Sequence, residues 1–217
     1  MSTSSSLKEE ISLKKFKEKV LNDFRTVVLS REISVLGRRE VLLGKGKFGI
    51  FGDGKELPQI AMSHFFKNGD FRSGYYRDMT LLLSQGLLTA REFFSAIYGH
   101  PDQVYERMSG GRQMVGHFLT NLINEKNEWI NQLSQKNHIS DVSPTASQMS
   151  RLVGLGLASK IYRNNNIKGS DKYSNNGNEI VWGTIGNAST SQGIFFEAVN
   201  ACGVLQIPTI ISVWDDE

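Results

Sequence analysis

Residues 179–214 constrain the fold more than any other stretch. EIVWGTIG (179–186) is a β-rich apolar run, and NASTSQG (187–193) is a turn of small polar residues. IFFEAVNACGVLQ (194–206) has helical periodicity, and PTIISVW (208–214) is a second β-rich apolar run. Strand, helix and strand within about 36 residues make a βαβ unit, because parallel neighbours need a crossover of that length. Both strands are expected to be parallel and buried on both faces. An α/β fold follows, with a parallel sheet flanked by helices.

In such a sheet, ligands sit beyond the carboxyl ends of the strands. The first strand delivers Gly186, Asn187, Ala188 and Ser189 to that edge, and the second delivers Asp215 and Asp216. An amide oxygen on Asn187 and a carboxylate on Asp216 are hard donors suited to Mg2+. The helix that follows NASTSQG would point backbone N–H groups at an anion. A metal and a helix terminus together suit a diphosphate. The plainer reading is a turn Asn and a solvated acidic end, and spacing alone leaves both open.

The rest of the chain reads as helices separated by Gly-rich loops. MSTSSS (1–6) is a flexible tail, and Ser6 to Glu9 has capping-box spacing. Leu13, Phe16, Val20, Leu21 and Phe24 then form one apolar face of an arm helix, with Lys14, Lys15, Lys17 and Lys19 opposite. GKGKFGIFGDG (44–54) is a loop or hairpin. It has no GKS or GKT in register, so the P-loop mechanism does not apply. Helices are expected over 55–67, 76–98, 118–135 and 146–162. Thr89 to Glu92 forms a second capping box, and Phe118, Leu119, Leu122, Ile123 and Ile130 supply the apolar face of the third helix. Gly154, Gly156 and Ala158 would let the fourth helix pack closely on a sheet. SGGRQMVG (109–116) is a Gly-rich loop, and residues 164–178, which begin NNNIKGSDKYSNNG, are expected to form a polar surface loop.

Composition excludes several classes. A net charge of +3 over 217 residues is too weak to argue for nucleic acid. Lone Cys202 rules out an internal disulfide framework and favours a reducing compartment. No apolar run reaches the roughly 18 residues of a spanning helix, so no membrane is expected. The N-terminus lacks a secretory apolar region, and Glu9 and Glu10 argue against a transit peptide. A cytoplasmic protein is expected.

Four ordered blocks carry a resemblance: GYYRDMTLLLSQGL (74–87), GGRQMVGHF (110–118), SPTASQ (143–148) and IGNASTSQGIFFEAVN (185–200). From about residue 30 onwards the chain resembles the alpha region of the thiamine diphosphate-dependent decarboxylating component of branched-chain 2-oxo acid dehydrogenase complexes. Related pyruvate and acetoin enzymes share the pattern. Each block alone is weak, and four in order at family spacing are specific.

The resemblance implies a thiamine diphosphate-binding fold and a set of roles. Tyr76 and Arg77 match a diphosphate-binding Tyr-Arg pair, and a guanidinium can grip phosphate through two parallel hydrogen bonds. The plainer alternative pairs Arg77 with Asp78 or Glu92 on a helix surface. Ser143, Pro144 and Thr145 match the segment whose backbone meets the aminopyrimidine ring. Ser147 and Gln148 match positions that hold K+ in some members, and plain helix N-capping by Ser143 or Thr145 is the rival reading of this segment. Met114, Gly116 and His117 match the substrate-side loop, with His117 at the active-site histidine. Phe48 matches an aromatic of the acyl pocket, against the alternative of a core Phe.

The metal motif departs from the family. The family begins Gly-Asp-Gly and ends in Asn-Asn, where this chain has Gly186-Asn187-Ala188 and Asp215-Asp216. Acid and amide have traded places, so Asn187 and Asp216 still offer one carboxylate and one amide oxygen. Ala188 adds a methyl where the backbone approaches phosphate. The third metal contact, a backbone carbonyl, would lie past Glu217.

The implied activity is thiamine diphosphate- and Mg2+-dependent oxidative decarboxylation of a branched-chain 2-oxo acid, with acyl transfer to a lipoyl-bearing acyltransferase core. A beta region or subunit would supply the Glu that activates the aminopyrimidine. Glu197 does not qualify, since it matches a family helix position. The expected organisation is a tail and helical arm over 1–45 and a cofactor-binding α/β domain over 46–217, truncated at its C-terminal end. The alternative is a noncatalytic α/β binding or assembly module that has lost its cofactor. The 217-residue chain alone is expected to release no CO2 from 2-oxoisovalerate, and release in a radiometric assay would contradict that reading.

Overall fold

A computed structural model describes residues 12–113 and 115–215. The expected Ser6–Glu9 capping box, Met114 and Asp216 lie outside the described residues. Four parallel strands form one sheet in the order β2-β1-β3-β4: β1 (Phe71–Ser73), β2 (Asn137–Ile139), β3 (Val181–Gly186) and β4 (Thr209–Trp214). The βαβ unit is present as expected. β3 and β4 run parallel in register from Val181↔Thr209 to Gly186↔Trp214, joined through α6 (Gly193–Leu205). Every residue of β3 is buried, whereas Trp214 alone is buried on β4. The expectation of two-sided burial therefore fails for β4, because among the described residues no strand pairs with its outer edge.

Side-chain alternation along β3 separates two cores. Val181 and Ile185 face α5 (Gln148–Asn164) and α6, packing with Met149, Leu152 and Ala198. Gly183 makes room for this contact: a Cβ there would come within 2.8 Å of Leu152. Gly156 does the same for Thr209, whereas Gly154 meets nothing within 4 Å. On the other face, Trp182 and Trp214 pack with Met62 and Phe66 from α2 and its end (Glu56–Phe65) and with Leu81 of α3 (Met79–Ser84). A third cluster joins α1 (Leu13–Leu42), α3 and α4 (Ala90–Ile97) through Ile33, Met79, Phe93 and Ile97. Truncating a fully buried Leu152 to Ala would cost about 2–5 kcal/mol.

Several helix expectations change. α1 begins at Ser12, whose hydroxyl accepts from the Lys15 N–H at 3.4 Å, and it continues for 30 residues. Its buried residues, Ser30, Ile33, Ser34, Gly37 and Glu40, all lie in its second half at helical spacing, and Asp23 in the first half meets His64 of α2 at 2.9 Å. The predicted apolar face at Leu13, Phe16, Val20, Leu21 and Phe24 stays exposed. The helix expected over 76–98 is two helices. Gly86, at φ +69°, ends the first, and the Thr89–Glu92 capping box starts the second as predicted.

The helix expected over 118–135 is absent. This segment holds an isolated antiparallel bridge, Ile123↔Trp129, and one 3-10 turn at Gln132–Ser134. Asparagines explain the difference. Asn124 Oδ1 accepts from the Lys126 and Glu128 N–H groups, and Asn131 Oδ1 accepts from the Leu133 N–H. Such local bonds compete with a helical ladder. The polar loop after α5 is tied down by Ser174, which donates to Glu179 Oε2 at 2.7 Å.

At the centre, Arg72 of β1 is fully buried between two carboxylates. Its Nη1 donates to Asp78 Oδ2 at 2.5 Å, its Nη2 lies 2.8 Å from Asp141 Oδ1, and its Nε donates to His138 Nδ1 at 2.7 Å. His138 is therefore neutral, with Nε2 facing Gln85 Oε1 at 2.7 Å. Burial, then the Arg72 charge, holds its pKa well below the ordinary value. Asp78 has four donors: Arg72, Thr184 Oγ1, the Tyr75 N–H at 3.3 Å and Trp214 Nε1 at 2.8 Å. Asp141 has the Phe118 N–H at 3.2 Å and the Arg72 contact, which is too bent for a hydrogen bond. One guanidinium cannot neutralise both acids, so the less well-served one rises. Burial pushes Asp141 to about 7, Arg72 opposing and Asp78 adding to the rise.

A carboxyl raised from its unfolded value near 4 stabilises the fold below that value, and this contribution is lost as pH climbs through about 7. Asp141→Asn should therefore gain on the parent by about 5 °C in melting temperature between pH 5 and pH 8. Parallel pH profiles in differential scanning calorimetry check this.

Candidate functional site

The sheet order places a switch point between β1 and β3. From β1 the chain moves outward to β2, and from β3 it moves the other way to β4. The crevice above such a point is where open α/β sheets take ligands. Two loops meet there: Gly74–Asp78 after β1, and Asn187–Gln192 after β3.

The first loop carries Tyr76 and Arg77 in a turn ahead of α3, not on a helix surface. Arg77 pairs with neither Asp78 nor Glu92. Asp78 is occupied by Arg72, and Glu92 Oε1 pairs with Arg107 at 2.7 Å. Arg77 Nε instead donates to the Phe51 carbonyl at 3.3 Å, and its Cζ stands 5.4 Å from the Tyr76 ring centroid. Gln59 donates to the Arg77 carbonyl at 2.9 Å, fixing the turn from α2. Among the described residues no carboxylate pairs with Arg77, so its guanidinium keeps charge available for an anion.

The second loop begins at Gly186. A Cβ there would sit 3.5 Å from the Tyr75 hydroxyl and 3.9 Å from Ser189 Oγ. These groups and the bare Gly186 backbone form a small polar cradle. Asn187 N–H donates to the Trp214 carbonyl at 3.1 Å, and its side-chain Nδ2 donates to Asp215 Oδ1 at 2.7 Å. The ends of β3 and β4 are thus joined through Asn187 and Asp215. Ala188 is exposed at the start of a 3-10 turn (Ala188–Ser191), which separates β3 from α6. The first turn of α6 therefore follows this turn and not the strand itself. Among the described residues, no group of three or more His, Cys, Asp or Glu is placed to hold a metal.

The residues expected on the substrate side converge from a third direction. Glu106 accepts from the Met108, Ser109 and Gly111 N–H groups and from the Ser109 hydroxyl, which winds the Gly-rich loop around one carboxylate. Burial pushes its pKa up, but these bonds outweigh it and leave it below the ordinary value. Gly116, at φ +92°, lies against Tyr76, and an added Cβ would come within 2.9 Å of the Tyr76 Cβ. His117 Nε2 lies 2.6 Å from Ser143 Oγ, so this loop meets the SPTAS segment beyond β2. Pro144 and Thr145 are exposed beside Ser143. Ser147 donates to the Pro144 carbonyl at 2.9 Å, and Gln148 Nε2 donates to the Thr184 carbonyl at 2.9 Å. Phe48 is half exposed and lines an open hollow with Lys45, Lys47 and Arg112.

Tyr76, Arg77, Gly186 and Ser189 are thus gathered at the switch point, with Gly116, His117 and Ser143 beside them. Phe48 stands apart, in the hollow next to the Gly-rich loop. Tyr75 and Glu106 were not singled out from the sequence, Asp78 appeared there only as an alternative partner of Arg77, and Asp215 only as the neighbour of Asp216. Asp78 and Asp215 each adjoin a residue that was singled out, but nothing in their spacing distinguishes them. A cavity of about 420 Å3, lined by Phe71, Leu122, Trp129, Leu155 and Tyr173, lies away from this constellation. Among the described residues no helix is long and apolar enough to cross a membrane.

The family model described as "Dehydrogenase E1 component" matches residues 25–215. The 2-oxoisovalerate dehydrogenase subunit alpha of Bacillus subtilis (strain 168) is 28% identical over 198 residues, covering 89% of this chain and 50% of that protein. The chain therefore spans about half the length of this curated relative. With the family model matched across nearly all of its length, the chain belongs to the dehydrogenase E1 component family.

Proposed function

We propose that this chain is the alpha part of a 2-oxo acid dehydrogenase that holds thiamine diphosphate and Mg2+ and acts on a branched-chain 2-oxo acid. The observations that carry the reading are Arg77, which no carboxylate among the described residues pairs, on the loop after β1, and the Gly186 cradle at the end of the neighbouring β3. A cation on one βα loop and a side-chain-free glycine at the start of the next suit a diphosphate better than a neutral ligand.

The donor set fits the proposed groups. Arg77 and Tyr76 would hold the diphosphate from the β1 side, and Gly186, Ala188 and Ser189 from the β3 side. Asn187 Oδ1 and a carboxylate of Asp216 would hold Mg2+ as oxygen donors. Ser143, Pro144 and Thr145 would lie along the aminopyrimidine. Ser147 and Gln148 are the residues for K+, if the enzyme uses one. Thiamine diphosphate, when bound, supplies the carbon nucleophile and electron sink for loss of CO2 from the 2-oxo acid. His117, held by Ser143, would orient the substrate carboxylate or move a proton beside it. Met114 and Gly116 would shape the same wall, and Phe48 would face the acyl chain. A beta region or subunit completes the site, and a lipoyl-bearing acyltransferase core takes the acyl group. On this reading the chain alone is inactive. Lone Cys202 agrees with a cytoplasmic setting.

The second reading, a noncatalytic binding or assembly module, draws on one observation. Ala188 stands where the family carries Gly, at the start of the turn that must approach phosphate.

Two substitutions separate these readings. Gly186→Ala has ordinary packing space and should leave the melting temperature within about 2 °C, while placing a methyl in the proposed phosphate cradle. Its dissociation constant for thiamine diphosphate, measured by calorimetry with Mg2+ on the assembled enzyme, should rise at least about tenfold. Arg77→Gln should weaken binding by a similar factor. A parent enzyme that binds no thiamine diphosphate would favour the module.

A further inference from the structure

Arg72 touches none of the groups proposed to meet cofactor or substrate. Yet both limbs of the site hang from it. Through Nη1 it holds Asp78, and Asp78 in turn accepts from the Tyr75 N–H, from Thr184 Oγ1 of β3 and from Trp214 Nε1 of β4. Asp78 also directly follows Arg77. Through Nη2 it holds Asp141, which accepts from the Phe118 N–H next to His117. The Asp141 N–H returns to the Phe118 carbonyl at 3.1 Å, so the substrate-side segment is fastened at both groups of one residue. A single planar guanidinium therefore connects the end of β1, the segment beyond β2, and side chains of β3 and β4.

We propose that Arg72 is a positioning residue that sets the cofactor-side turn through Asp78 and the substrate-side loop through Asp141. The proposal rests on the function given above. The guanidinium is suited to this task because its fork reaches two carboxylates and His138 at fixed angles. A lysine ammonium, with its charge at one point on a flexible stem, cannot span the same three partners, two hydrogen-bond acceptors and one ion-paired carboxylate. The two branches are separable. Thr184 reaches Asp78 and not Asp141, and Asp141 reaches Phe118 and not the Tyr75–Arg77 turn.

The test uses the assembled alpha–beta enzyme, well below each variant's melting temperature. It measures the thiamine diphosphate dissociation constant by tryptophan fluorescence, and KM and kcat for 2-oxoisovalerate. Arg72→Lys should raise both the cofactor constant and the substrate KM by about tenfold. Thr184→Val should raise the cofactor constant by about threefold and leave KM unchanged. Asp141→Asn should raise KM by about threefold and leave the cofactor constant unchanged. A residue that only supports the fold would lower melting temperature without dividing the two constants in this way. Arg72→Lys with a lower melting temperature but both constants within about twofold of the parent overturns the proposal. If Arg72→Lys does not fold, the split between Thr184→Val and Asp141→Asn decides it: divided constants support the proposal, and constants that move together or not at all overturn it. A parent that binds no thiamine diphosphate overturns the functional reading and this inference with it.

Discussion

The buried ion pairs of Arg72 are the constraint on which the rest of the arrangement depends. A charge in a dry interior is tolerated only when paired and hydrogen-bonded. Here that requirement draws in Asp78 and Asp141 from loops beyond two different strands, and Thr184 and Trp214 from two more. Removing one partner of such a buried set costs about 3–5 kcal/mol, because the others are left uncompensated. The carboxyl edge of the sheet is thus held from beneath by electrostatics, in a layer where the hydrophobic clusters alone would not specify loop positions. The same layer explains why Asp78, although next to Arg77, is not its partner.

Above that layer the geometry follows from topology. Parallel strands deliver every βα loop to one edge, and the β2-β1-β3-β4 order opens a crevice between β1 and β3. Gly186 brings a backbone without a side chain to one loop, and Arg77, which no carboxylate among the described residues pairs, stands on the other. Gly116 allows the substrate-side loop to rest on Tyr76. Three loops far apart in sequence therefore meet without any one of them carrying a complete site.

Much of the βαβ unit was legible in the sequence, because β3, α6 and β4 have distinct periodicities and clear turn chemistry between them. The Thr89–Glu92 box was equally readable, since both reciprocal bonds are local. β1 and β2 were not, since each has three residues and neither has an alternating pattern long enough to register. The segment 118–135 misled because its apolar spacing is helical while its asparagines form turns. Gly186, Asn187, Ala188, Ser189 and Asp216 followed from the βαβ pattern, whereas the other candidate residues came from the family resemblance and not from physical pattern. Arg72 shows why: an Arg between Phe71 and Ser73 reads as solvated, and only the fold reveals two acids waiting for it. The exposed side of β4 was also hidden, since an apolar strand looks the same whether or not a neighbour covers it.

The central claim is that one anion site lies at the switch point between β1 and β3. Amide hydrogen exchange on the assembled enzyme, with and without thiamine diphosphate and Mg2+, tests it most directly. Bound thiamine diphosphate should add protection in the 74–78 and 186–191 loops and leave the 165–176 loop unchanged. Protection absent from both switch-point loops, or confined to the cavity beside Trp129, would contradict that claim.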